Sequence, residues 1–121
     1  ENNIFKLTDA LGNRNRREAA RIYERLISNN EAPQRIFYML AQQVRRLYRM
    51  SLCRNRRLSK EECASFVGIS PKAGWLYQKQ AGRFSKEQFE HWLSLLTETD
   101  EKVKTGQLDV EDGIWNLMAQ V

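Results

Sequence analysis

A chain of 121 residues, 41% hydrophobic and 29% charged, is one domain's worth of ordinary globular sequence and can bury a real core. No apolar run is long enough to cross a bilayer and no signal-peptide pattern is present, so nothing argues for membrane or secretion. The net charge of +5 is uneven: residues 1–57 hold 13 Lys and Arg against 5 Asp and Glu, a net +8, while residues 58–121 hold 7 against 10, a net −3.

In chain order, Ile4, Leu7, Thr8 and Leu11 predict a short amphipathic helix closed by Gly12. Asn13 or Asn15 can cap the next helix, with Ala19, Ala20, Tyr23, Leu26 and Ile27 facing inward. Ser28-Asn29-Asn30 ends it. The stretch 33–57, PQRIFYMLAQQVRRLYRMSLCRNRR, organises the rest. Pro33 can open a helix because its missing N–H would be an orphan there. Phe37, Leu40, Ala41, Val44, Leu47, Tyr48 and Ser51 then share one face. A thinner second line holds Met39, Arg46, Met50 and Cys53. A helix with two apolar faces is either wrapped by its own domain or shared with a partner. In the second case Met39, Arg46 and Met50, with Arg49 beside them, form a candidate partner interface, since methionine repacks readily and arginine is enriched at contacts.

Ser59-x-x-Glu62 is a capping box opening a short helix with Cys63, Phe66 and Val67. Gly68 stops it. Ser70 and Pro71 start another, with Leu76 as its clearest core residue and Gly82 as its end. Ser85-x-x-Gln88 is a second capping box, leading into a long helix through Phe89, Trp92, Leu93, Leu96 and Val103 that stops at Gly106. Asp109 caps a last helix facing inward with Ile114, Leu117, Met118 and Val121. No stretch alternates as a strand would. The expected fold is therefore all-α, a single helical bundle of about seven helices over residues 1–121, without repeats or long linkers.

Catalytic chemistry is thin. The one histidine, His91, lies on the polar side of its helix without ligand or triad partners at set spacing. No Gly-rich phosphate loop is present. Glu61, Glu62, Asp109, Glu111 and Asp112 fall in first helical turns, where the helix dipole favours acids. Cys53 and Cys63 do not form a Cys-x-x-Cys pair and read as free thiols of a reducing cytoplasm. The expectation is no enzyme, no cofactor, no structural metal and no disulfide.

The basic half has two parts. Arg14, Arg16, Arg17, Arg21 and Arg25 are interleaved with Glu18 and Glu24 as helix-neighbour pairs and read as a solvated face. Arg54, Asn55, Arg56 and Arg57 have no nearby acid, which makes Arg54, Arg56 and Arg57 the candidate nucleic-acid contact. Ala64-x-x-x-Gly68-Ile69-Ser70 also has helix-turn-helix spacing. The bulky aliphatic expected six residues after the turn glycine is Gly74, however, and the would-be recognition helix, with Lys72, Gln78, Lys79 and Gln80, has no arginine. A helical corner fits better than a base reader; a helix-turn-helix DNA-binding domain remains the alternative function.

Four stretches carry a family resemblance: IFKLTDALGNRN, APQRIFYMLAQQVRRLYRM, SFVGISPKAGWLYQKQAGRFSKEQF and VKTGQLDVEDGIWNLM. Together, in order and over nearly the whole chain, they resemble the C-terminal domain of the delta subunit of bacterial DNA polymerase III, part of the sliding-clamp loader. The resemblance implies a cytoplasmic, helical collar domain. Five such collars pack in a ring, so the implied partners are the motor (gamma/tau) and delta-prime subunits, with DNA bound at most weakly and without sequence preference. The family's delta subunit opens the sliding clamp through an N-terminal domain absent here and leaves ATP hydrolysis to the motor subunits. Starting with a helix at Glu1, the chain reads as a C-terminal piece of a larger subunit without its AAA+-like modules. Gly74-Trp75 departs from the expected corner packing.

Overall fold

The computed structural model describes residues 2–54 and 56–120, and among them contains seven α-helices and no strand. They are α1 (Asn2–Gly12), α2 (Arg16–Ser28), α3 (Pro33–Cys53), α4 (Lys60–Val67), α5 (Gly74–Ala81), α6 (Lys86–Lys104) and α7 (Val110–Ala119), with a 3-10 turn at Pro71–Ala73 before α5. The expected placements of Asn55 and Val121 lie outside the described residues.

Local chemistry sets the boundaries. Asn15 caps α2, its side chain accepting from the Glu18 amide at 3.1 Å. Pro33 sits in the first turn of α3. Both capping boxes form. The Glu62 amide donates to Ser59 Oγ at 3.0 Å and the Ser59 amide to Glu62 Oε1 at 2.8 Å; Ser85 and Gln88 repeat the exchange at 3.1 and 2.7 Å. Each box satisfies two orphan amides of a first turn. The backbone donation from Ser59 also holds the Glu62 carboxyl below its ordinary range. Gly68 ends α4 in the left-handed region, at φ 88°, where a Cβ would be strained.

Helix α3 is the axis of the bundle. It packs against α1, α4, α5, α6 and α7, while α2 lies on α1 and α7. Its first half carries Ile36, Phe37, Leu40, Ala41 and Val44 into one core, which it shares with α1, α2, the middle of α6 and α7. Its second half carries Leu47, Met50 and Cys53 into a second core with Val67, Tyr77, Ala81 and Phe89. Leu40 and Leu47 are fully buried. The α6–α7 approach is close enough that a Cβ on Gly113 would stand 2.7 Å from Thr99 Cγ2.

The long helix is thus wrapped by its own domain, and this corrects one expected interface residue. Met50 is 1% exposed, because α4 and α5 fold over the second half of α3 and cover the face it occupies. Three local expectations change as well. Phe66 is exposed, since a helix of eight residues has one narrow inner face and Ala64 and Val67 fill it. Leu76 is only half-buried, and Tyr77, Gln80 and Ala81 face inward instead. The segment from Ser70 opens with a 3-10 turn rather than directly with an α-helix. The helix-turn-helix spacing accordingly yields a corner whose second helix starts at Gly74 without a bulky anchor.

Candidate partner and nucleic-acid surfaces

Three of the four expected interface residues retain some surface. Met39 is half-buried and packs on the first core. Arg46 is half-buried and lines a cleft, while Arg49 is exposed. Helix α3 holds Arg35, Arg45, Arg46 and Arg49 and no acid. Only Arg35 among these forms an ion pair within the described residues, to Glu31 at 3.2 Å. The outer side of α3 is therefore a cationic surface with little internal neutralisation, suited to an acidic counterpart. On α2, by contrast, Arg21 pairs with Glu18.

The cleft beside Arg46 has a volume of about 390 Å³, and Phe5, Gln43, Arg46, Ile69, Ala73 and Tyr77 are among its lining residues. Gln43 is 6% exposed. Its Oε1 accepts from the Tyr77 hydroxyl at 3.0 Å, and its Nε2 has no hydrogen-bond partner. Gln80, one turn from Tyr77 on α5, is handled differently. The Thr8 hydroxyl donates to its Oε1 at 2.8 Å, and its Nε2 donates to the Phe5 carbonyl at 3.0 Å. Neither glutamine announces itself in the sequence, because each occupies an otherwise apolar face whose burial depends on packing between distant segments.

The basic run after α3 sits at the corner formed by α4 and α5. The Arg54 guanidinium reaches the Gln78 carbonyl at 3.4 Å. Arg56 lies over the Phe66 ring, 5.6 Å from its centroid, and Arg57 is exposed. The structure adds what the spacing did not show: Phe66 and Trp75, 39% and 65% exposed, stand on the same corner. Exposed aromatics among arginines offer stacking as well as charge.

Beneath that corner, Met50, Cys53, Leu58, Cys63 and Trp75 border a second cavity of about 360 Å³. Both cysteines are free thiols, and Cys63 Sγ lies 3.7 Å from Met50 Sδ. Burial, and then the hydrogen bond with Cys63, push the Cys53 thiol up to about 11. A thiol held protonated in this way is a poor nucleophile. His91 is exposed. Among the described residues no three His, Cys, Asp or Glu side chains gather as a metal site, and no helix is long and apolar enough to cross a membrane.

Comparison with known proteins agrees with this architecture. The chain is 29% identical over 109 residues to the DNA polymerase III delta protein of Bacillus subtilis (strain 168), a match covering 90% of this chain and 31% of that protein. The solved structure of the Bacillus subtilis DNA clamp loader delta protein superposes with a TM-score of 0.87 at 27% identity, over 98% of this chain and 35% of the other. The chain thus spans about a third of the length of these relatives. The family model for the C-terminal domain of the DNA polymerase III delta subunit matches residues 1–121. On that match over its whole length, the chain belongs to the family of C-terminal domains of DNA polymerase III delta subunits.

Proposed function

We propose that this domain is a non-catalytic assembly module of a bacterial sliding-clamp loader, working in the cytoplasm and packing as a collar against the collars of the motor (gamma/tau) and delta-prime subunits. The observation that carries the reading is the superposition of nearly the entire chain on the clamp loader delta protein. The cationic outer side of α3 supports it, because Arg46 and Arg49 are free to meet carboxylates of a neighbouring subunit. Met39 contributes the apolar margin of that contact. The sliding clamp is engaged through another part of the full subunit.

The test is co-elution of the domain with purified motor and delta-prime subunits in size-exclusion chromatography. A shared peak is expected. Arg46→Glu with Arg49→Glu should abolish it while the double variant melts normally, since half-buried and exposed charges contribute little to folding and much to recognition. Separate elution of the unmodified domain would reject the assembly reading.

A DNA contact at Arg54, Arg56 and Arg57 belongs to this proposal as a minor element. It is weak and blind to sequence, because stacking and phosphate contacts carry little base information.

A further inference from the structure

We infer that the cleft between α3 and the α4–α5 corner is a receptor for a carboxylate side chain, aspartate or glutamate, presented by a neighbouring protein subunit. The inference rests on the assembly reading above and specifies its chemistry. Its first support is Gln43. This side chain is more than nine-tenths buried, lines the cleft, and leaves Nε2 without a partner. Folded proteins rarely leave such a donor unmatched, because an unmade buried hydrogen bond is costly. The same bundle satisfies both ends of Gln80 only a few residues from Tyr77; among the described residues the other buried side-chain donor without a partner is Trp92 Nε1, which lies away from this cleft.

The second support is Arg46, one turn further along α3 and on the same wall of the cleft. Its guanidinium forms no ion pair among those of the described residues, and lies against the end of α4, with Nε 4.0 Å from where a Cβ on Gly68 would stand. No acidic residue lines the cleft. The Tyr77 hydroxyl donates to Gln43 Oε1, and in this arrangement the amide's N–H groups are its unused function. Beside the Ser70 hydroxyl, the remaining polar side chains are thus an uncharged donor and a cationic donor, and the group that satisfies both is an anion with two acceptor oxygens. Phe5, Ile69, Ala73 and Leu76 supply apolar walls for the methylene stem of such a side chain. A volume of about 390 Å³ admits the side chain together with the backbone that carries it. A partner protein is the favoured source because α3, which forms one wall of the cleft, also carries Arg35, Arg45 and Arg49 and no acid, a basic surface that an acidic partner surface would cover.

The experiment uses the full-length delta protein that bears this domain, mixed with purified motor and delta-prime subunits, with affinity read by titration. Gln43→Glu retains an acceptor for Tyr77 and gives Arg46 an internal partner. Arg46→Met keeps the stem and removes the charge. Each should weaken assembly by about tenfold or more, the scale of losing a charge-assisted hydrogen bond. Arg25→Met, exposed on α2 and outside the cleft, should assemble normally. Because Gln43→Glu could disturb folding, p-benzoylphenylalanine at Leu76 provides a second readout: photocrosslinking in the unmutated assembly should capture a partner segment containing Asp or Glu. Normal assembly by both cleft variants, equal loss from Arg25→Met, or a crosslinked segment without a carboxylate would overturn the inference while leaving the assembly reading intact. Failure of the unmodified protein to assemble would instead reject that reading and this inference with it. Stabilisation of the domain by free glutarate, lost in Gln43→Glu with assembly unchanged, would reassign the cleft to a small dicarboxylate.

Discussion

Cys53 shows how one side chain takes its chemistry from its surroundings. Burial raises its pKa from 9.0 to about 11, so the folded state holds the proton more tightly than the unfolded chain does. Its contribution to stability is therefore complete below about pH 9 and is lost as pH rises toward about 11. Chemical denaturation across that window should show the wild type losing stability more steeply than Cys53→Ala. Parallel curves would mean that the thiol does not titrate with folding. Leu40 tests the packing itself. It is fully buried where α3 meets the first core, and Leu40→Ala should cost about 2–5 kcal/mol in urea unfolding. A loss below about 0.5 kcal/mol, the scale of surface substitutions, would remove α3 from its central position.

Among the elements, α4 depends most on its ends. It has eight residues, two of them buried, and a helix this short is marginal without tertiary support and caps. Ser59→Ala should therefore destabilise the domain by about 0.5–2 kcal/mol, the usual cost of losing an N-cap. Ser85→Ala at α6 should cost a similar amount globally, but α6 has 19 residues and a buried line through Phe89, Trp92 and Leu96, so its amides should stay protected. Hydrogen exchange separates the two cases: amides of α4 should exchange faster in Ser59→Ala, while those in the middle of α6 should not change in Ser85→Ala. The α4–α5 corner also determines what the neighbouring arginines can do. Phe66 and Trp75 remain outside because each helix has one inner face, already filled.

At the scale of the whole molecule, charge is segregated while α3 runs through both cores. The excess of arginine in the first half should give weak duplex DNA binding at low salt that fades steeply with added salt. Each phosphate contact contributes about 0.9 log units of affinity per log unit of salt. Arg54→Ala with Arg56→Ala and Arg57→Ala should lower that slope by about 0.9 for each arginine that touched phosphate, measured by fluorescence anisotropy. Tight binding of one sequence that survives competitor DNA would instead restore the helix-turn-helix reading. An unchanged slope would move any DNA contact away from this corner. Two cores joined by one helix also predict that Leu40→Ala lowers a single cooperative transition rather than creating two, since α3 contributes to both.

The sequence by itself determined the helices, their caps and their order, because those depend on interactions three or four residues apart: Ser59 with Glu62, Ser85 with Gln88, Asn15 with Glu18, Pro33 in a first turn. It also determined the inner face of α3 from Phe37 to Leu47 by spacing alone, and the four quoted stretches carried the family resemblance that the match over residues 1–121 bears out. What only the tertiary structure decided is which second face of a helix becomes covered. Met50 is buried because α4 and α5, distant in sequence, cover its side of α3, and Phe66 is exposed because Ala64 and Val67 complete α4's contact. The cleft is of the same kind. Gln43 and Arg46 are ordinary polar residues one helical turn apart until Tyr77, Phe5 and Ile69 arrive from three other segments. Hydrogen-bond satisfaction is a property of that assembled surface, and helical periodicity carries no record of it.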